Sequence, residues 1–287
     1  MLSASVLRQL DLLEIASKRH FLGTKQGKLL SPKKGHGFEF SDYRDYQQGD
    51  NPRYIDWGLF ARSDRLYVKT YHEEHNLSVL ILVDASSSMR FPNKWNQVKD
   101  LAVGLSYISL KNQHSLHVST IGGFHLRGGS VGETINRIDK SFNNLSESNI
   151  VDEIRAIKHS LSRVRFPGVC IFLSDFLFDL EKSEEILKVL RAKNLDITFI
   201  QTLGEEDFTV HDGEVVDSEN QKEASISLTG DLINEYQDLL DEHSNKLREL
   251  CAKKGASFAR YIKKNENEDS NLVKFLNSNL IQTGLLG

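Results

Sequence analysis

Apolar residues along this chain fall into short unbroken runs separated by stretches with helical spacing, and the clearest run is Val79-Leu80-Ile81-Leu82-Val83. A strand covered on both faces of a sheet has no polar side, so it reads as continuous β-branched and leucine residues. Similar runs predict strands over Leu116 to Ile121, Val169 to Leu173, Ile197 to Thr202 and Ser257 to Ile262. Between them, apolar positions recur every three or four residues: Trp95, Val98, Leu101, Leu105 and Ile108 within Lys94 to Lys111, and Ile150, Ile154, Ile157 and Leu161 within Asn149 to Val164. Further helices are expected over Glu181 to Lys193 and Leu232 to Lys254. Strand and helix in alternation imply parallel strands joined by right-handed crossovers, with helices on both faces. The expectation is an α/β fold with a Rossmann-like, doubly wound, mainly parallel sheet.

The first quarter of the chain breaks this rhythm. Leu2, Val6, Leu10, Leu13 and Ala16 suit a short amphipathic helix over residues 2 to 18, and a Gly- and Lys-rich loop runs from Gly23 to Gly37. A dense irregular block, Phe38 to Arg62, precedes Leu66 to Tyr71, which alternates as a strand does; His72 to Asn76 can turn it back into the Val79 strand as a hairpin. This gives an irregular/β N-terminal extension over 1–75, a main domain over 76–265 and a C-terminal tail helix over 266–287 packed on it.

At 287 residues, with 39% apolar and 26% charged residues, the chain has an ordinary globular composition and enough length for a sizeable core. No apolar run reaches the roughly eighteen residues of a membrane span, and the start of the sequence lacks the basic-then-apolar order of an export signal, so a cytoplasmic protein is expected. Cys170 and Cys251 sit in a strand and a helix pattern, which suits reduced, buried thiols. Residues 1 to 70 hold twelve Lys/Arg against eight Asp/Glu, while the whole chain is −4. The basic residues there alternate with acids, which argues against the single-sign field of a nucleic-acid surface.

Chemistry concentrates where the first apolar strand ends, in Asp84-Ala85-Ser86-Ser87-Ser88. In open α/β sheets ligands sit beyond the carboxyl ends of the strands. A carboxylate and two hydroxyls at alternate positions of a turn can face one hard cation, and oxygen donors suit Mg²⁺ better than zinc or copper. A second strand ends in Ser174-Asp175. If the two strands are neighbours, Asp84 and Asp175 face a common point, and a cation between them removes their repulsion. Taken alone, Asp175 reads equally as a helix N-cap.

In the N-terminal block, Tyr43, Tyr46, Tyr54 and Trp57 are amphipathic anchors, and Arg44, Arg53 and Arg62 can pair with Asp50, Asp56 or Asp64. The block reads as a segment held by these pairs or as a partner-binding surface. Gly49-Asp50-Asn51-Pro52 reads as a turn.

Other motifs fall short. Gly23 to Leu29 has three residues between its glycines where a phosphate loop needs four, and Leu29 stands where Ser or Thr would hold Mg²⁺. His72-Glu73-Glu74-His75 misplaces the second zinc ligand by one residue, and His114, His117 and His125 lack ligand spacing. No Gly-x-Ser-x-Gly elbow surrounds Ser86 to Ser88.

The Asp84-x-Ser86-x-Ser88 turn, with Ser174-Asp175, resembles the metal-ion-dependent adhesion site of von Willebrand factor A-type domains. The block Gly35-x-Gly37-x-Glu39-Phe40, Tyr43-Arg44-x-Tyr46-x-x-Gly49-Asp50-x-x-Arg53-x-Ile55-Asp56-Trp57, Ala61-Arg62 and Leu66 to Lys69 is similar to that of the bacterial von Willebrand A-like family catalogued as the fifty-eighth domain of unknown function. The similarity runs from about Gly27 to near Ile262. The resemblance implies a von Willebrand A-type sheet carrying Mg²⁺ or Mn²⁺, with Asp84, Ser86 and Ser88 as direct ligands, Asp175 bound directly or one group removed, and Ser148 as the middle-loop ligand. It further implies a MoxR-type AAA+ ATPase as partner, a client protein presenting an acidic residue, and a non-catalytic role in maturing or activating other proteins. The alternatives are a metal-assisted phosphoesterase using Asp84 and Asp175, and a structural protein whose Asp and Ser residues only cap helices.

Overall fold

The computed structural model describes residues 3–17, 39–72, 77–121, 123–143, 153–164, 168–204, 207–208, 213–216, 223–226, 230–262 and 268–287. The chain divides into two compact units, Leu22–Asn76 and the remainder, Met1–Phe21 with Leu77–Gly287.

The larger unit is built on six strands, β3 (Ser78–Val83), β4 (Ser115–Thr120), β5 (His125–Arg127), β6 (Gly168–Ser174), β7 (Asp196–Leu203) and β10 (Ser257–Ile262), in the order β10-β7-β6-β3-β4-β5. Five are parallel and β5 is an antiparallel edge. This is the mainly parallel α/β sheet that the alternation predicts. Odd residues of β3, Val79, Ile81 and Val83, join one core cluster, and even residues, Leu80 and Leu82, join the other. All five are fully buried, which stabilises the fold by roughly 1.5–3 kcal/mol for each side chain.

Helices α1 (Ala4–Leu10), α3 (Pro92–Lys111), α4 (Val131–Asn143) and α8 (Glu268–Lys274) supply apolar residues to the first cluster. Helices α5 (Glu153–Leu161), α6 (Leu180–Arg191) and α7 (Gly230–Lys253) supply the second. Pro92 opens α3 at a position where its missing N–H costs nothing. A short hairpin of β8 (Gly213–Val216) and β9 (Glu223–Ile226) follows β7.

Several elements depart from expectation. The first helix is shorter than 2 to 18: after Leu10 the chain extends, and Glu14 and Gly287 exchange backbone hydrogen bonds of 3.0 and 2.9 Å while Ile15 bridges Leu286. This ties residues 3–17, which the sequence groups with the extension, to the C-terminus of the larger unit. The tail forms α8 and a wider π-helical turn, Phe275–Leu280, with Leu272, Leu276 and Leu280 buried. Helix α4, strand β5 and the β8-β9 hairpin are additional to the sequence reading. Helix α4 places Thr134, Ile138 and Phe142 inward at helical intervals, a signal weakened by the many polar residues between them.

The smaller unit pairs β1 (Glu39–Asp45) with β2 (Tyr67–His72) antiparallel, joined through a 3-10 turn at Pro52–Tyr54 and helix α2 (Trp57–Ser63). The expected hairpin between β2 and the Val79 strand is not formed, since β2 takes its hydrogen bonds from β1 in a separate sheet. Gly49 has φ of 108°, so the expected turn needs its glycine. Arg44 grips Asp50 through both carboxylate oxygens at 2.7 and 2.6 Å, and this holds the Asp50 carboxyl down at about 2, with a bond from the Gln47 N–H adding to it. Asp56 caps α2 by accepting from the Leu59 N–H, and also accepts from Tyr43 at 2.8 Å and pairs with Lys69 at 3.1 Å. Arg53 and Arg62 do not form the expected ion pairs: among the described residues Arg53 is exposed without a carboxylate partner, and the Arg62 Nε donates to the Gly58 carbonyl.

Candidate functional site

The register of the central strands decides what meets at the carboxyl rim. Val83 of β3 lies opposite Leu173 of β6, so Asp84 and Ser174 emerge side by side, and the Asp84 N–H continues the ladder to the Leu173 carbonyl at 2.9 Å. Both strands end in the same local device. The Asp84 Oδ1 accepts from the Ser86 N–H at 2.9 Å, and the Asp175 Oδ1 accepts from the Leu177 N–H at 3.3 Å, each two residues on. Across the gap, the Ser174 hydroxyl donates to Asp84 Oδ2 at 2.7 Å.

Four of the sequence-selected residues, Asp84, Ser86, Ser88 and Asp175, therefore converge. Asp84 is 7% exposed, Ser86 is near enough to bond its carboxyl, and the Ser86 and Ser88 hydroxyl oxygens are 3.1 Å apart in a half-buried position. Burial, and then the negative charge of Asp175, push the Asp84 carboxyl up to about 6 against the pull of the Ser174 and Ser86 bonds. Asp175 is 2% exposed and near enough for its charge to act on Asp84. Ser148, the expected middle-loop ligand, lies outside the described residues, as do Gly23 to Leu29, Gly35, Gly37 and Glu73 to His75.

The Asp175 backbone is fixed from three sides. Its N–H points at the Met89 sulfur at 3.2 Å, its carbonyl accepts from the Gln201 amide at 3.0 Å, and Phe176 after it takes a left-handed φ of 53°. That conformation costs a non-glycine residue about 1–2 kcal/mol. It persists because the Phe176 ring is wholly buried, 4.6 Å from that of Phe199 and 5.1 Å from that of Phe172, and because His243 of α7 donates to its carbonyl at 2.7 Å.

Two residues that sequence reasoning missed complete the cluster. Lys94, 1% exposed in the first turn of α3, donates to Asp175 Oδ2 at 3.0 Å and to Asp207 Oδ1 at 2.7 Å. Asp207 follows β7, and its Oδ2 accepts from the Gly204 N–H at 2.8 Å. Burial alone would lower the Lys94 ammonium, but Asp175 and Asp207 outweigh it and raise it, so it stays charged. Burial raises the Asp207 carboxyl, opposed by Lys94. Signals for both exist. A lysine in the first turn of a helix opposes the macrodipole, and Asp207 is a third acid just beyond a parallel strand.

No trio of His, Cys, Asp and Glu among the described residues forms a metal cage. A cation at this rim would depend on hydroxyl as well as carboxylate oxygens, which is the donor set of Asp84, Ser86 and Ser88. No described helix is long and apolar enough to cross a membrane.

The family model described as "Protein of unknown function DUF58" matches residues 42–246. An uncharacterized protein of Mycobacterium tuberculosis and one of Mycobacterium bovis are each 33% identical over 91 residues, 32% of this chain and 29% of theirs. The chain thus spans less than a third of the length of these curated relatives. Among solved structures, the conserved hypothetical protein BatB from Bacteroides thetaiotaomicron aligns with 72% of this chain and 98% of its own, at a TM-score of 0.44 and 11% identity. An aerotolerance-related membrane protein from Bacteroides fragilis aligns with 72% of this chain and 99% of its own, at 0.41 and 10%.

Proposed function

The chain belongs to the DUF58 family, and from the rim cluster we infer a non-catalytic, metal-dependent protein-interaction module of the von Willebrand A type. Asp84, Ser86 and Ser88 would hold Mg²⁺ or Mn²⁺, with Asp175 tied back by Lys94 beside them. When bound, the ion supplies a positive charge that a carboxylate of a partner protein can reach. A MoxR-type AAA+ ATPase in the cytoplasm is the partner, and a protein presenting an acidic residue is the client.

The observation that carries this reading is a charge excess. Asp175 and Asp207 share the Lys94 ammonium and Asp84 lies beside Asp175, so these three buried carboxylates exceed that one ammonium by two formal negative charges when all are ionised. Uncompensated charge in a low-dielectric site is costly, and one divalent cation offsets this excess. Neutral hydroxyl ligands do not cancel the ion's charge, so an incoming carboxylate remains an attractive ligand. Phe91, 45% exposed just after the serine turn, and Leu177, 40% exposed just after Asp175, offer apolar contact beside such a carboxylate.

Calorimetric and thermal titration with Mg²⁺ and Mn²⁺ tests the reading on the intact chain and on Asp84→Asn. With free metal about a hundredfold above its Kd, the intact chain should gain about 2.7 kcal/mol of stability and the variant should gain none. No uptake by either chain overturns the metal reading. Turnover of phosphate esters that is lost in Asp84→Ala would put a metal-assisted phosphoesterase in its place.

A further inference from the structure

A second charged cluster lies away from the rim cluster and does not depend on the metal reading. Register places His117 opposite Leu80 and Arg127, and Ser119 opposite Leu82 and His125, so His117, Ser119, His125 and Arg127 share the sheet face that carries Leu80 and Leu82. Helix α5 packs Ile157 and Leu161 on that face, and just beyond them His159 Nε2 and the Arg163 guanidinium are 2.9 Å apart. The His117 and His125 rings stack with centroids 5.5 Å apart, and His125 Nδ1 bonds the Ser119 hydroxyl at 2.7 Å.

What distinguishes this cluster is its single sign. Among the described residues, the charges acting on His117 are Arg127 and Arg163, and those acting on His125 are Arg163, His117 and His159. Every one is basic, and among the described residues neither Arg127 nor Arg163 has a carboxylate within ion-pair distance. His117 is 7% exposed, yet its Nδ1 is buried with no hydrogen-bond partner. A buried ring nitrogen without a partner is unfavourable, and this group of basic side chains on two strands and a helix has no anion among the described residues to hold it together.

We propose that the β4-β5 edge and the end of α5 form a binding site for a phosphate-type oxyanion, with His117 Nδ1 as the inner donor and Arg127 and Arg163 as the outer ones. A tetrahedral dianion carries enough oxygen atoms for donors from three elements, and the planar guanidinium fork matches its edges. A monovalent carboxylate or chloride would leave most of these donors unused. The shared chemistry belongs to free phosphate and to a phosphorylated side chain of another protein alike.

The test is an NMR titration of the histidine side chains in the full chain with inorganic phosphate, against chloride at equal ionic strength, followed by O-phosphoserine. Saturable shifts at His117 and His125 with phosphate but not chloride are expected, and Arg127→Gln and Arg163→Gln should each weaken binding about tenfold. Both arginines are exposed, so both variants should fold normally. Tighter binding of O-phosphoserine identifies a phosphorylated protein as the source, and tighter binding of orthophosphate identifies the free ion. Equal responses to phosphate and chloride, or affinity unchanged in both arginine variants, overturn the proposal.

Discussion

The acidic cluster at the rim and the basic cluster at the β5 edge stand on one sheet with opposite excesses of charge, and they differ in where those charges are kept. At the rim, Lys94 and Asp175 are 1% and 2% exposed, so the excess is held inside by an ammonium and by an Asp84 carboxyl pushed up to about 6. At the edge, the arginines reach solvent and the excess is relieved by keeping the histidines neutral, with His125 pushed down to about 4 by burial and then by Arg163. The comparison teaches that burial, more than the number of charges, sets what a cluster requires. An excess inside the protein is met by a buried counter-charge or by a shifted proton, whereas one at the surface can also be met by solvent or a bound anion.

The sharpest way to break this contrast is Lys94→Met. It leaves Asp175 and Asp207 buried without their cation, and unfolding in denaturant should show a loss of roughly 3–5 kcal/mol. The double variant Lys94→Met/Asp207→Asn should recover part of that loss, because one stranded charge is gone. A single variant as stable as the parent would show that the ammonium is dispensable. A smaller effect is expected at the same sheet edge, on the face opposite the basic cluster, from Gly128→Ala just after β5. An added methyl would come within 2.8 Å of Leu110 Cδ2 and 2.9 Å of Leu116 Cβ, and overpacking of this kind costs roughly 1–3 kcal/mol in a melting or denaturation curve.

The two clusters also differ in how far the sequence reveals them. Asp84, Ser86, Ser88 and Asp175 follow strands whose apolar runs are unmistakable, and a rule about strand ends places the acids together although 90 residues separate Asp84 from Ser174. Lys94 is harder to read, because its role depends on partners 81 and 113 residues away that no local pattern links to it. At the edge, β5 is only three residues long, too short for its alternation to show, so His117 and His125 read as unrelated histidines until pairing stacks them. In the smaller unit, the Arg44–Asp50 pair is legible because six residues separate its partners around one turn, whereas Arg53 meets no acid among the described residues although it stands in the same dense block.

A gentler perturbation is pH, and its sign is opposite at the two clusters. The His125 ring binds a proton near 6.5 when unfolded and only near 4 when folded, so between those values the unfolded chain holds the extra proton. Its contribution to stability is complete above about 6.5 and is lost as the pH falls toward 4. Asp84 runs the other way, because its folded carboxyl takes up a proton near 6 and its unfolded one near 3.8, so it favours folding as the pH falls through that range. Denaturation curves from pH 7 to 4 should therefore fall more steeply for Asp84→Asn than for the parent, and less steeply for His125→Gln. Parallel curves for all three chains would mean that neither group changes its proton affinity on folding.

The smallest effect belongs to ion pairs that resemble Lys94–Asp175 in chemistry and differ in setting. Arg44 and Asp50 meet through two short bonds, but the Arg44 side chain is 44% exposed, so water and salt can replace most of what the pair supplies. Arg44→Ala should leave the midpoint of thermal unfolding unresolved from the parent at moderate ionic strength, and Arg53→Ala, which removes no ion pair among the described residues, should do the same. A clear loss with Arg44→Ala that disappears in high salt would show that this exposed pair matters for holding the turn at Gly49. A loss that persists in high salt would mean that the arginine acts through the packing of its stem and not through its charge.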